Sequence, residues 1–207
     1  MEHRISNELE CPHSVTSRMI QARADLENLV WPVVRPSLGD GEIETIEGRG
    51  DAIFRRLDCG AKVDYIFESA KGVRPMFGIA ARVTYGHYRN LTLGEEQFEA
   101  LKLLVATPGA FRPAVIIHAC VEVTHLERKL SEVALVPVDA FLVWAKTHPG
   151  IRHVNYQGKT FFAWPFARLQ AKDGCPRTLV LPHPLFSWEQ VETEISQDRD
   201  SLSLVVA

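Results

Sequence analysis

Apolar and polar positions alternate in two distinct periods along this chain, and the period changes mark its elements. In SRMIQARADLENLVW the residues Met19, Ala22, Leu26, Leu29 and Val30 recur at three- and four-residue spacing. Ser14 or Thr16 can cap the segment and Pro32 with Pro36 closes it, so the spacing predicts an amphipathic helix over 16–31. From Gly41 to Gly48 the period drops to two, with Ile43 and Thr45 on one side and Glu42, Glu44 and Ile46 on the other. That is the pattern of a short edge strand. Lys62 to Glu68 and Met76 to Tyr85 are rich in β-branched and aromatic residues, and SAKGVRP between them holds the glycine and proline of a turn. They predict a hairpin.

The segment GEEQFEALKLLVA returns to helical spacing through Phe98, Leu101 and Leu104, with Glu95 and Glu96 favouring its positive N-terminal end. PAVIIHACVEV is almost continuously apolar, as a central strand buried on both faces requires. Beyond it, VALVPVDAFLVWAKTHPG predicts a strand running into a short helix. In HVNYQGKTFFAWPF, Gln157-Gly158 sits between two aromatic-rich runs as in a second hairpin. Trp144, Trp164, Phe161, Phe162 and Phe166 are expected in the core.

The order of elements predicts an α/β fold, a mixed central sheet flanked by helices. The whole chain, 1–207, is expected to form a single domain. Its core falls at about 41–123, preceded by the helix at 16–31 and followed by a C-terminal extension, 124–207. The stretch from Ser187 turns acidic and then apolar, which marks it as a segment to dock on the core or on a protein partner.

Charge and cysteine usage narrow the chemistry. The formal net charge of −3 supplies no global attraction to nucleic acid, so any such binding needs a local patch. The first residues mix acids, bases and a proline, and no window is apolar enough to span a bilayer; a cytoplasmic protein without membrane contact is expected. Cys11, Cys59, Cys120 and Cys175 are scattered without a CxxC pair and are expected to be reduced thiols. Cys11 with His13, and Cys120 with His125, are each only half of a metal site. No GxSxG elbow, GxxxxGK[ST] loop, GxGxxG fingerprint or HExxH helix occurs, which removes the main motif-based hydrolase, nucleotide-binding and zinc-protease readings.

The first hairpin carries the candidate chemistry. A turn at 69–75 sets Asp64 about opposite Ala80 with Arg82 on the diagonal, while Val63, Tyr65, Phe67, Phe77, Ile79, Ala81 and Val83 make the opposite face apolar. The even-numbered face is therefore expected to be polar. On the later strand His118 and Glu122 share a side and are expected to look toward the same face as Asp64.

With VDYI, then FGIAARV one strand later, then a helix and PAVIIHACVEV, the chain resembles the PD-(D/E)xK nuclease superfamily over roughly Gly41 to Val123. The resemblance implies a restriction-endonuclease-like core and phosphodiester hydrolysis assisted by Mg²⁺ or Mn²⁺, with no organic cofactor. In that chemistry carboxylate oxygens hold the cation, the cation offsets phosphate charge, and a basic side chain positions or deprotonates water. Asp64 matches the family's aspartate and Arg82 stands at its lysine position. Ala80 stands at the acid position, which makes this a degenerate member. The resemblance leaves Asp64, Arg82, Glu122 and His118 as catalytic candidates and Asp64, Glu44 and Glu47 as candidate metal ligands. Lys71, Arg74, His87 and Arg89, with Tyr85 and Tyr88 interleaved, are candidates for contacting nucleic acid. Two other readings stand beside hydrolysis: a catalytically impaired relative that binds nucleic acid, and a non-catalytic protein-interaction subunit or inhibitor on the same fold. A pocket hydrolase or binding protein using His118 and Glu122 is a third. In the plainest reading Asp64 and Arg82 are a cross-strand ion pair and His118 a hydrogen-bonded core histidine.

Overall fold

The computed structural model describes residues 15–46, 60–70, 76–125, 127–155 and 157–181. Two helical segments, α1 (Val15–Asp25) and α2 (Trp31–Leu38), flank a wide turn at Leu26–Val30. Then follow β1 (Gly41–Thr45), β2 (Tyr65–Ser69), β3 (Met76–Tyr85), β4 (Asn90–Gly94), α3 (Glu95–Ala106), β5 (Pro113–Val123) and β6 (Arg128–Pro137). The described chain closes with α4 (Val138–Ala145), β7 (Ile151–Val154), β8 (Thr160–Pro165), α5 (Phe166–Leu169) and β9 (Leu179–Leu181).

Pro32 does not end the first helix, contrary to the expectation for 16–31. Proline has no N–H to donate four residues back, and its ring crowds the carbonyl there. The turn widens instead: Trp31 N–H reaches back to Leu26 O, and the helical path continues to Leu38. Such five-residue turns accommodate a local misfit without breaking the helix.

Six strands form one sheet in the order β1-β2-β3-β5-β6-β9, and β4-β8-β7 form a second sheet. β1, β2 and β3 run antiparallel to their neighbours, whereas β3 and β5 are parallel and joined through β4 and α3. The mixed α/β class expected from the pattern is thus present. Of the second sheet the sequence reading gives the β7–β8 hairpin but not β4, because β4 pairs with β8 some seventy residues away.

Both faces of the large sheet are covered. On one, Tyr65, Phe67, Phe77, Ile79, Val115, Ile117 and Val133 pack under Leu26, Val30, Trp31 and Val34 of the helical layer. On the other, Ala80, Ile116, Cys120, Ala134 and Val136 pack under Leu91 and Leu93 of β4, Leu101 of α3, Phe141 of α4 and Trp164 of β8. The expected polar, even-numbered face is therefore largely a second apolar interface. This double cover accounts for the unbroken apolar run of β5. The expected aromatic core holds for Trp144, Trp164 and Phe166, which are buried, while Phe162 packs at its margin. Phe161 instead stacks on His153.

A buried carboxylate ties the helical layer to the sheet. Asp25 accepts from Arg128 Nε and Nη2 at 2.9 and 2.7 Å, from Tyr85 Oη at 2.9 Å and from Gln21 Nε2 at 3.1 Å. Arg128 also lies 5.1 Å from the Tyr85 ring centroid. Burial, reinforced by the hydrogen bond to Asp25, raises the Tyr85 phenol above its ordinary pKa.

Candidate functional site

Asp64 lies immediately before β2, at the point where the β2–β3 ladder slips. Its N–H donates to Ile79 O at 2.9 Å, and its Oδ2 accepts from Ala81 N at 2.7 Å. The carboxylate thus supplies the acceptor that the departing β2 backbone no longer offers to β3. The paired register ends at Tyr65↔Ile79, so the expected alternation does not run through Asp64: Val63, expected on the face of Tyr65 and Phe67, packs instead with Ile66 because the chain bends at Asp64. Ala80 is buried and has no donor atom for a cation.

Arg82 and His118 sit side by side in the parallel β3–β5 register. Both reach the same peptide of β4. Arg82 Nη1 donates to Thr92 O at 3.0 Å, and Thr92 N donates to His118 Nδ1 at 3.4 Å. Because β4 pairs only with β8, this edge needs partners, and the two side chains fasten it to the large sheet. With Nδ1 accepting, Nε2 carries the proton and donates to Thr84 Oγ1 at 3.3 Å; Thr84 in turn donates to Ala119 O at 3.3 Å.

The electrostatics follow from this placement. His118 is 0 % exposed, and burial, with the Arg82 charge adding to it, lowers its pKa to about 3. It is neutral at physiological pH and has both ring nitrogens engaged. Arg82 is an exposed residue, yet protein crowding lowers its pKa while the Asp64 charge opposes the shift. Its solvent contact keeps it a cation. Burial pushes the Cys120 thiol up, and its Sγ donates to Tyr88 O at 3.0 Å, so it is not a thiolate nucleophile.

The other candidates do not converge on this centre. Ile116 stands level with Ala80, next to the Ala81 that Asp64 bonds, so Glu122 lies some six residues further along, about 20 Å at the rise of a strand. His118 is two residues along and two strands across from Asp64, about 12 Å away. The expected common face of Asp64, His118 and Glu122 is therefore not a common site. Glu122 Oε1 instead faces His87 Nδ1 at 3.7 Å, and Arg89 Nη1 meets Glu132 Oε1 at 3.1 Å. Of the four side chains predicted to contact nucleic acid, His87 and Arg89 each already face a carboxylate. Among the metal candidates, Glu44 lies opposite Ile66 on β1, while the Asp64 carboxylate is turned to Ala81 N of β3. Glu47, Lys71 and Arg74 lie outside the described residues, as does the segment from Ser187.

Among the described residues no group of three or more His, Cys, Asp or Glu side chains is arranged to hold a metal ion. Arg82, Thr92, His118 and Thr84 are joined in one run of hydrogen bonds across β3, β4 and β5, with the Asp64 charge acting on Arg82. Sequence reasoning missed Asp25, Thr92 and Glu132. Asp25 carried a signal, since an acid three residues after Ala22 and beside Leu26 falls on the apolar stripe of the first helix. Glu132 is buried at a bulge where Cys120↔Glu132 is followed by Val121↔Leu130. No helix among the described residues is long and apolar enough to cross a membrane.

Comparison with known proteins finds no family model, no curated protein and no solved structure that matches this chain.

Proposed function

We propose that this chain is a non-catalytic, protein-interacting relative of the nuclease-like fold. The observation that carries this reading is the commitment of Asp64 Oδ2 to Ala81 N–H beside a buried Ala80. A carboxylate that completes a backbone ladder has a structural reason to be where it is, and alanine cannot replace the missing acid. The topology supports the fold part of the proposal: an antiparallel β1-β2-β3 unit, a helical crossover, and β5 parallel to β3.

The surface favours protein over nucleic acid. Tyr88, 73 % exposed, stands between His87 and Arg89, whose facing carboxylates Glu122 and Glu132 weaken attraction for phosphates. An exposed tyrosine flanked by compensated charges suits a protein interface. The test is affinity capture of the tagged full chain from native lysate treated with nuclease. A stoichiometric protein that survives nuclease and is lost with Tyr88→Ala supports the reading; capture of nucleic acid alone from a parallel untreated lysate, with no protein retained after nuclease, refutes it.

A metal-dependent phosphodiesterase is the second reading, favoured by two acids on neighbouring parts of the sheet, Glu44 in β1 and Asp64 at the entry to β2. In it these two carboxylates would hold Mg²⁺ or Mn²⁺ and Arg82 would steady a phosphate.

A further inference from the structure

The small sheet ends on an open strand edge. Among the described residues β7 pairs only with β8, and all four of its residues are exposed. Asn155 N–H donates to Lys159 O at 3.0 Å, so the hydrogen-bonded pairs of this ladder are Asn155–Lys159, His153–Phe161 and Ile151–Ala163. Arg152 and Val154 therefore turn their backbone N–H and C=O groups away from β8. Edges that stay bare are guarded by charge, yet β7 carries Ile151 at 54 % and Val154 at 56 % exposure beside a single guanidinium, Arg152. β-Branched apolar residues at such positions suit a strand with a neighbour on both sides.

Charge selects the neighbour. Between 140 and 181 the chain has six Lys and Arg and one acid, Asp173, although the whole chain carries −3. Arg152 Nη2 donates to Thr160 Oγ1 at 3.1 Å, which lays the guanidinium along the hairpin, and it faces no carboxylate among the described residues. The opposite excess falls in 187–200, with five carboxylates and one arginine. There VETEI alternates with period two, Val191, Thr193 and Ile195 in one phase and Glu192 and Glu194 in the other. Ten residue steps lead from Leu181, the end of β9, to Val191. Extended, they cover about 33 Å, about twice the radius of gyration of a domain this long.

We infer that Val191–Ile195 of the same chain pairs with the open edge of β7 as a fourth strand of the small sheet. Its backbone takes up the outward N–H and C=O groups of Arg152 and Val154. Alternation then sets Glu192 and Glu194 on the Arg152 face and Val191 and Ile195 on the Ile151 face. A second copy of β7 in this place would set like charges against each other, and a nucleic acid has no strand backbone to complete the ladder. The inference does not rest on the roles given to Asp64 or Tyr88.

The test is amide hydrogen exchange of the ¹⁵N-labelled full chain, read at Arg152 and Val154, whose N–H groups β8 leaves free. In wild type both amides should exchange about tenfold or more slowly than unprotected ones. The doubly reversed Glu192→Lys/Glu194→Lys chain should lose that protection, and adding Arg152→Glu to it should restore it. All three positions lie on exposed strand or outside the described fold, so the melting of the rest of the protein should be unchanged. Unprotected Arg152 and Val154 amides in wild type, protection indifferent to the reversed glutamates, or loss not recovered by the charge swap would overturn the inference. Protection that rises with protein concentration would also overturn it, by assigning the edge to a second copy.

Discussion

Protonation of His118 should govern part of the acid lability of this protein. In the folded chain its pKa is lowered from 6.5 to about 3 because the ring is fully buried, with Arg82 adding a like charge. A depressed folded pKa means that the stabilising contribution is complete above about pH 6.5 and is lost as pH falls toward about 3. At about 1.4 kcal/mol per pH unit, the loss between pH 7 and pH 4 is on the order of 3 kcal/mol. The perturbation is His118→Gln, which cannot titrate but still offers an acceptor to Thr92 N and a donor to Thr84. Urea unfolding of both proteins across that range is the assay. The variant should be less stable by about 1–3 kcal/mol at pH 7, where its fit is poorer, and should lose the pH-dependent part of the difference on acidification. Carboxylates common to both proteins cancel in the subtraction. Parallel stability curves, or an NMR titration of His118 near pH 6.5 in the folded state, would refute this placement of His118.

Other substitutions probe the remaining supports. Asp25→Ala leaves Arg128 and Tyr85 without their shared acceptor; because Arg128 keeps solvent contact, a loss of about 3 kcal/mol is expected, seen as a melting temperature lower by roughly 6–12 °C. Tyr85 should remain protonated above the ordinary tyrosine range, and since its folded pKa is raised, the linked stability is present below about pH 10 and falls at higher pH; ultraviolet titration of Asp25→Ala should show ionisation at lower pH than in wild type but still above the ordinary range, because burial remains. Gly41→Ala would drive a Cβ into Glu68 O and the Phe67 ring, so a cost of about 1–3 kcal/mol should appear in urea unfolding.

Much of the fold can be read from periodicity where one element decides its own burial. The helix Glu95–Ala106, the strand Pro113–Val123 and the hairpin around Gly158 stand where the pattern puts them, Gly158 with a φ of +76°. The antiparallel pairing of β2 with β3 also follows from counting back across one turn, but the bend at Asp64 that turns Val63 to the other face does not. What covers the even-numbered face does not, because it depends on β4 meeting β8 and on Leu91, Leu93 and Trp164 arriving from separate segments. Without that cover Arg82 and His118 read as chemistry; with it both are seen to hydrogen-bond the peptide of Thr92. Pro32 misleads for a related reason, since the packing of Leu26, Val30 and Val34 on the sheet keeps the helical path going through a turn that proline alone disfavours.

The most direct test of the central claim compares wild type with Asp64→Asn and Asp64→Ala. Each is titrated with Mg²⁺ and Mn²⁺ by calorimetry, assayed for cleavage of plasmid, single-stranded DNA and RNA, and melted. Asparagine keeps an oxygen for Ala81 N–H but loses the charge a cation needs, whereas alanine loses both. The structural account predicts no metal-dependent cleavage by wild type, near-wild-type stability for Asp64→Asn, and a loss of about 1–2 kcal/mol for Asp64→Ala. Metal-dependent cleavage by wild type that disappears in a fully folded Asp64→Asn would contradict it and establish the phosphodiesterase reading instead.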